Sequence, residues 1–131
     1  MELLAIRFVT VSNEAEALAR CLDDLGVRRR HFGEYTSQIG ADAFTGAIFP
    51  AGSSWIEVWP AGEGMPPGMM LQLVVDDADA FAAHARSQGL SPEGPVDAHG
   101  ERIYFLQAPS GLSMSFQSAL PAGEANETQA T

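Results

Sequence analysis

The stretch MMLQLVVDDADAFAAHARSQG, residues 69–89, decides the fold because LLAIRFVTVSNEAEALARCLDDLG, residues 3–26, repeats its pattern. The two copies lie about 60 positions apart, and such repetition means that each is one unit burying an apolar face against other structure. Each reads as a β-rich run, a polar helix start, a helical segment and a closing glycine. Val11 aligns with Val75, Asn13 with Asp77 and Gly26 with Gly89. Further on, AIFPAGSSWIEVW (47–59) closes the first copy and IYFLQAPSGLSMSFQS (103–118) the second, which sets Glu57 against Ser115. The expected class is α+β. Two βαβββ modules, about 3–60 and 69–118, form curved half-barrel sheets within one domain of residues 1–120.

Bulk composition fits that reading. The chain has 131 residues, long enough for one real core and short for two ordinary domains. It is 46% hydrophobic and 18% charged, a globular balance. The net charge of −10 leaves no basic stripe for phosphates, so neither nucleic acid nor an anionic membrane surface is an expected partner. All seven basic residues are arginines, so lysine Schiff-base chemistry and a phosphate-loop lysine are excluded. Cys21 is the single cysteine, which rules out an intrachain disulfide and a cysteine zinc site. MELLAIRF has no basic leader region, and no apolar run reaches membrane-spanning length, so a cytoplasmic location is expected.

Local signals place the elements. After a strand from Leu3 to Val11, Asn13 reads as an N-cap with Glu16 completing a capping box. Leu18, Leu22 and Leu25 form the apolar stripe, with Cys21 beside it as a small core residue, and Gly26 supplies the C-cap. Val27–Ser37, Phe44–Pro50 and Ser54–Trp59 are strand candidates, and 61–68 is a turn-rich connection. In the second copy a strand from Met69 to Val75 leads to a helix started by Asp76-Asp77, with Phe81 and Ala85 facing inward. Strands follow around Val96, over Arg102–Gln107 and over Leu112–Ser118, the last two joined by the Pro109-Ser110-Gly111 turn. Residues 121–131 carry no apolar pattern and read as a disordered tail.

The chemistry concentrates in Trp55-Ile56-Glu57-Val58-Trp59. Alternation puts Trp55, Glu57 and Trp59 on one strand face and Ile56 and Val58 on the other. A carboxylate between two indoles can hold a cation by charge and by the ring faces, or act as a base or metal ligand. The same segment also suits a half-buried strand whose tryptophans simply pack. The matching strand offers Ser113, Ser115 and Gln117, a polar but neutral face. His31, His84 and His99 have no metal-ligand spacing. His84 reads as solvent-facing, and His99 could line a pocket mouth.

Taken together, the paired repeat, the WIEVW strand, the 69–89 segment and the GERIYFLQAPSGLSMSF ending (100–116) resemble the vicinal oxygen chelate superfamily of glyoxalases, bleomycin-resistance proteins and extradiol dioxygenases. The resemblance spans roughly residues 3–118. It implies four inward metal-ligand positions in the metal-dependent members, which fall here on Ile6, Glu57, Met70 and Ser115. Only Glu57 is a strong ligand, because Met is soft and Ile inert. The resemblance therefore implies a member with no metal and no cofactor, akin to the bleomycin-resistance branch. Such a protein sequesters a small molecule, a cationic aromatic one by the chemistry of WIEVW. The implied ligand wall comprises Trp55, Glu57, Trp59, Phe8, Met70, Gln72, Ser113, Ser115 and Gln117, and pairing as a homodimer is implied too. The alternative is an enzyme, a lyase, isomerase or dioxygenase, with Glu57 as base or with a histidine rebuilding a metal site.

Overall fold

Ile6, Phe8, Val9, Thr10 and Val11, all β-branched or aromatic, hold a long first strand, β1 (Leu3–Ser12). The computed structural model describes residues 1–30 and 44–121. The chain divides into two units, Arg7–Met69 and Met1–Ile6 with the residues from Met70 on. β1 contributes its start to the latter and its end to the former. Among the described residues there are seven strands and two α-helices, the mixed α+β content expected.

In Arg7–Met69, β1 is followed by helix α1 (Ala15–Asp24) and strands β2 (Ala47–Ala51) and β3 (Ser54–Pro60). β1 runs parallel to β3, and β2 antiparallel to it. Ala15 and Ala19 of α1 sit fully buried on Ala47, Phe49 and Val58, with Leu22, Val27, Phe44 and Ile56 packed around them. The inward stripe is therefore Ala15, Ala19 and Leu22, and the leucine stripe expected from sequence is corrected. Leu18 lies at its margin and Leu25 is 73% exposed. Alanines have no side-chain entropy to lose and let the helix lie close to the sheet. Cys21 is two residues past Ala19, on the far side of a 3.6-residue turn, and is exposed rather than in the core.

The expected strand Val27–Ser37 falls mostly outside the described residues, as does His31. Its first residues, Val27–Arg30, are irregular, although the Arg30 amide donates to the Ile48 carbonyl at 2.6 Å. The expected tail lies outside the described residues beyond Pro121.

The other unit completes the βαβββ pattern: β4 (Gly68–Val75), α2 (Ala78–Ser87), β5 (Glu93–Ala98), β6 (Glu101–Gln107) and β7 (Ser113–Ala119). β4 is parallel to β7; β6 is antiparallel to both β7 and β5. Ala78 and Ala82 of α2 pack on Val75, Tyr104 and Phe116, with Phe81 and Leu73 at the border. The Asp77 side chain caps α2 by accepting from the Ala80 amide at 3.1 Å. Asp79 and Asp97 both pair with Arg102, and Asp79 also accepts the Tyr104 hydroxyl at 2.6 Å, which ties α2 to β6 and β5.

The two copies align one residue differently from the sequence reading in the first strand and the helix cap, while Gly26 still matches Gly89 and Glu57 still matches Ser115. Ala15 and Ala19 match Ala78 and Ala82, and the N-caps are Glu14 and Asp77. In the strands, Arg7 pairs with Trp55 as Met70 pairs with Ser113. Asn13 is thus not the cap and no capping box forms. β1 stays paired through Ser12, whose hydroxyl accepts the Glu14 amide, and that pushes the helix start back. Asn is the better capping type, and it drew the sequence alignment one position out of register.

Candidate functional site

Parallel pairing of β1 with β3 sets Arg7, Val9 and Val11 beside Trp55, Glu57 and Trp59, all on the face away from α1. β2 adds Ile48 beside Glu57. Glu57 is thus framed by two aliphatic neighbours across the sheet and by the two indoles along its own strand. Desolvating a carboxylate in such a frame is costly unless it is hydrogen-bonded. The tryptophans meet that need: Trp55 Nε1 donates to Oε2 at 2.7 Å and Trp59 Nε1 to Oε1 at 2.8 Å. Charge-assisted bonds of this kind each contribute about 1.5–3 kcal/mol. Each oxygen has an indole partner and keeps a lone pair for a further donor.

Two arginines approach the same indole. The Arg7 guanidinium lies 4.1 Å from the Trp55 ring centroid and that of Arg30 lies 6.0 Å away. The expectation that the tryptophan faces await a ligand cation needs amending, since the chain's own guanidinium stacks on Trp55. Trp59 is fixed from below by Gly46, where any Cβ would overlap its six-membered ring.

A one-residue register shift reverses which face a strand residue occupies. Phe8 pairs with Ile56 and so faces away from Glu57, which removes it from the ligand wall. By the same shift, the first-strand position equivalent to Met70 is Arg7, not Ile6. The sequence reading placed Ile6 there, one residue short of Arg7. The signal was available in the matched alanines of the two helices.

Met70 and Gln72 share a face with Ser113, Ser115 and Gln117, as expected from alternation. Met70 and Ser113 line a cleft of about 300 Å³ with Phe105, Gln107 and Glu93. Ser115 and Gln117 behave differently. Both are buried; the Ser115 hydroxyl donates to Gln117 Oε1 at 2.7 Å, and Gln117 Nε2 donates to Glu101 at 3.3 Å. They support the sheet from inside. His84 is exposed on α2, and His99 is exposed at the β5–β6 turn with φ 54.

Metal chemistry does not fit these donors. At the positions that the resemblance gives, one unit has Arg7 and Glu57, a cation and one carboxylate, and the other has Met70 and Ser115, a thioether and a committed hydroxyl. Among the described residues no group of three His, Cys, Asp or Glu side chains is placed to hold an ion. A guanidinium on the Glu57 face also opposes a divalent cation there.

No family model matches the chain, and no curated protein sequence does. Solved structures do. An NAD-dependent benzaldehyde dehydrogenase from Legionella pneumophila superposes with TM-score 0.59 at 12% identity, over 88% of this chain and 99% of that one. Methylmalonyl-CoA epimerase from Mycobacterium tuberculosis gives TM-score 0.58 at 21% identity, over 94% and 91%. A glyoxalase/bleomycin resistance protein/dioxygenase superfamily member from Vibrio splendidus 12B01 gives 0.57 at 12%, over 89% and 99%. The names carried by these structures span different activities, and at such identities a likeness speaks to architecture and not to chemistry. The chain has the fold of the glyoxalase/bleomycin resistance/dioxygenase superfamily.

Proposed function

We propose that the protein is a metal-free member of this superfamily that binds a small organic molecule carrying a hydrogen-bond donor, a cationic one by preference, against Glu57. One observation carries the reading: both Glu57 oxygens are pinned by indole N–H groups, which leaves a preorganised acceptor rather than a mobile surface carboxylate. Preorganisation lowers the ordering cost of binding. Trp55 and Trp59 then serve as walls as well as donors. Sequestration in the cytoplasm, as in bleomycin resistance, is the role that suits such a site. Support for binding over catalysis comes from what surrounds Glu57: the described residues give it no histidine partner and no metal-ligand set.

The experiment is a small-molecule screen read by tryptophan fluorescence, followed by titration of Trp55→Ala, Trp59→Ala and Glu57→Gln. Loss of either indole takes a donor from Glu57 and should weaken binding several-fold, as expected for about 0.5–1.5 kcal/mol. Glu57→Gln should hurt cationic ligands selectively. Wild-type binding in all three variants would refute the site.

A further inference from the structure

We infer that the ligand of this face is a zwitterion: a small aromatic molecule bearing both an ammonium and a carboxylate. The inference rests on the reading above and names its ligand class. Trp55 holds two opposite charges in place at once. Its N–H binds the Glu57 carboxylate at 2.7 Å, while its ring lies under the Arg7 guanidinium at 4.1 Å, with Arg30 at 6.0 Å. Register keeps the poles on one face, since Arg7 pairs with Trp55 and Glu57 follows two residues along the same strand.

This arrangement discriminates by charge pattern. A simple cation drawn to Glu57 comes to rest beside guanidiniums, and a simple anion drawn to the arginines comes to rest beside Glu57. A molecule with both charges meets each pole with its opposite. The planar fork of an arginine suits a carboxylate, and Arg30 is exposed and able to swing onto one. Each Glu57 oxygen retains a lone pair for an ammonium N–H. Between the poles, the indoles provide an apolar surface for an aromatic frame.

The test is a fluorescence titration of the full chain with phenylalanine and 4-(aminomethyl)benzoate, which place the two charges at different spacings. Phenethylamine and 3-phenylpropanoate serve as singly charged controls. At least one zwitterion should bind about tenfold tighter than either control. Arg30→Gln should weaken that zwitterion about fivefold while phenethylamine binds more tightly, and Glu57→Gln should weaken both. If phenethylamine binds as tightly as the zwitterions, the zwitterion inference fails and the Glu57 donor site stands. If none of these probes binds but a screened ligand does so in a Glu57-dependent way, the inference again fails alone. Absence of any Glu57-dependent ligand overturns both.

Discussion

Gly46→Ala should cripple the site through Trp59. The glycine has φ +131, a backbone conformation L-residues rarely adopt, and an added Cβ would overlap Trp59 Cε3 and Cζ3. The backbone strain costs about 1–3 kcal/mol, and forcing the ring aside adds about 1–3 kcal/mol of overpacking. A destabilisation of about 2–6 kcal/mol follows, and each kcal/mol lowers the melting temperature of a domain this size by about 3–6 °C. The two contributions separate in a double-mutant cycle. In a Trp59→Val background the ring is gone, so Gly46→Ala retains only the strain, and the coupling should be about 1–3 kcal/mol. Urea unfolding followed by far-UV circular dichroism measures all four proteins. Gly68→Ala, where nothing lies within 4 Å, is the control and should fall within about 0.5 kcal/mol of wild type. An equal cost for Gly46→Ala in both backgrounds would refute the claim that this glycine exists to seat Trp59.

Other outcomes follow from the same geometry. The Tyr104 hydroxyl and Arg102 hold the Asp79 carboxyl below its ordinary range, and Arg102 does the same for Asp97. Depressed folded values stabilise above the unfolded pKa and lose that effect as protons bind. Melting temperature should therefore fall below about pH 4, and fall less steeply in Arg102→Gln. Asp79 pushes Tyr104 upward, which favours the neutral phenol, so a second loss should begin above about pH 10 and vanish in Tyr104→Phe. Ser115→Ala should cost about 1–3 kcal/mol in urea unfolding, because it leaves the buried Gln117 Oε1 without its donor; an unchanged midpoint would contradict that. Light scattering should give a dimer at micromolar concentration, with Leu3, Leu4 and Ile6 exposed on β1 as candidates for burial, and a monomer would refute the pairing.

Much of this molecule is legible in its sequence. The period-2 alternation of Trp55, Glu57 and Trp59 placed all three on one face, and the indole–carboxylate bonds follow from that placement. Gly26 and Gly89 marked the helix ends, and both take positive φ. What misled was the joint between β1 and α1. Asn13 has the chemistry of a cap and Glu14 does not, yet strand pairing through Ser12 decides where the helix begins. That single residue of register carried Phe8 and Ile6 onto the Glu57 side in place of Arg7. The helix faces failed for a related reason: leucines advertise burial, but the close approach of α1 to β2 and β3 selects Ala15 and Ala19 instead. No local pattern shows that Ser115 and Gln117 would spend their polar atoms on each other, since that depends on side-chain choices made only once the sheet is packed.

The central claim is that Glu57 serves an organic ligand and not a metal. Its most direct test is the metal content of wild-type and Glu57→Ala protein after equilibration with excess zinc and manganese and then desalting. The account predicts no stoichiometric metal in either protein. One metal per chain in the wild type, lost in Glu57→Ala, would contradict it.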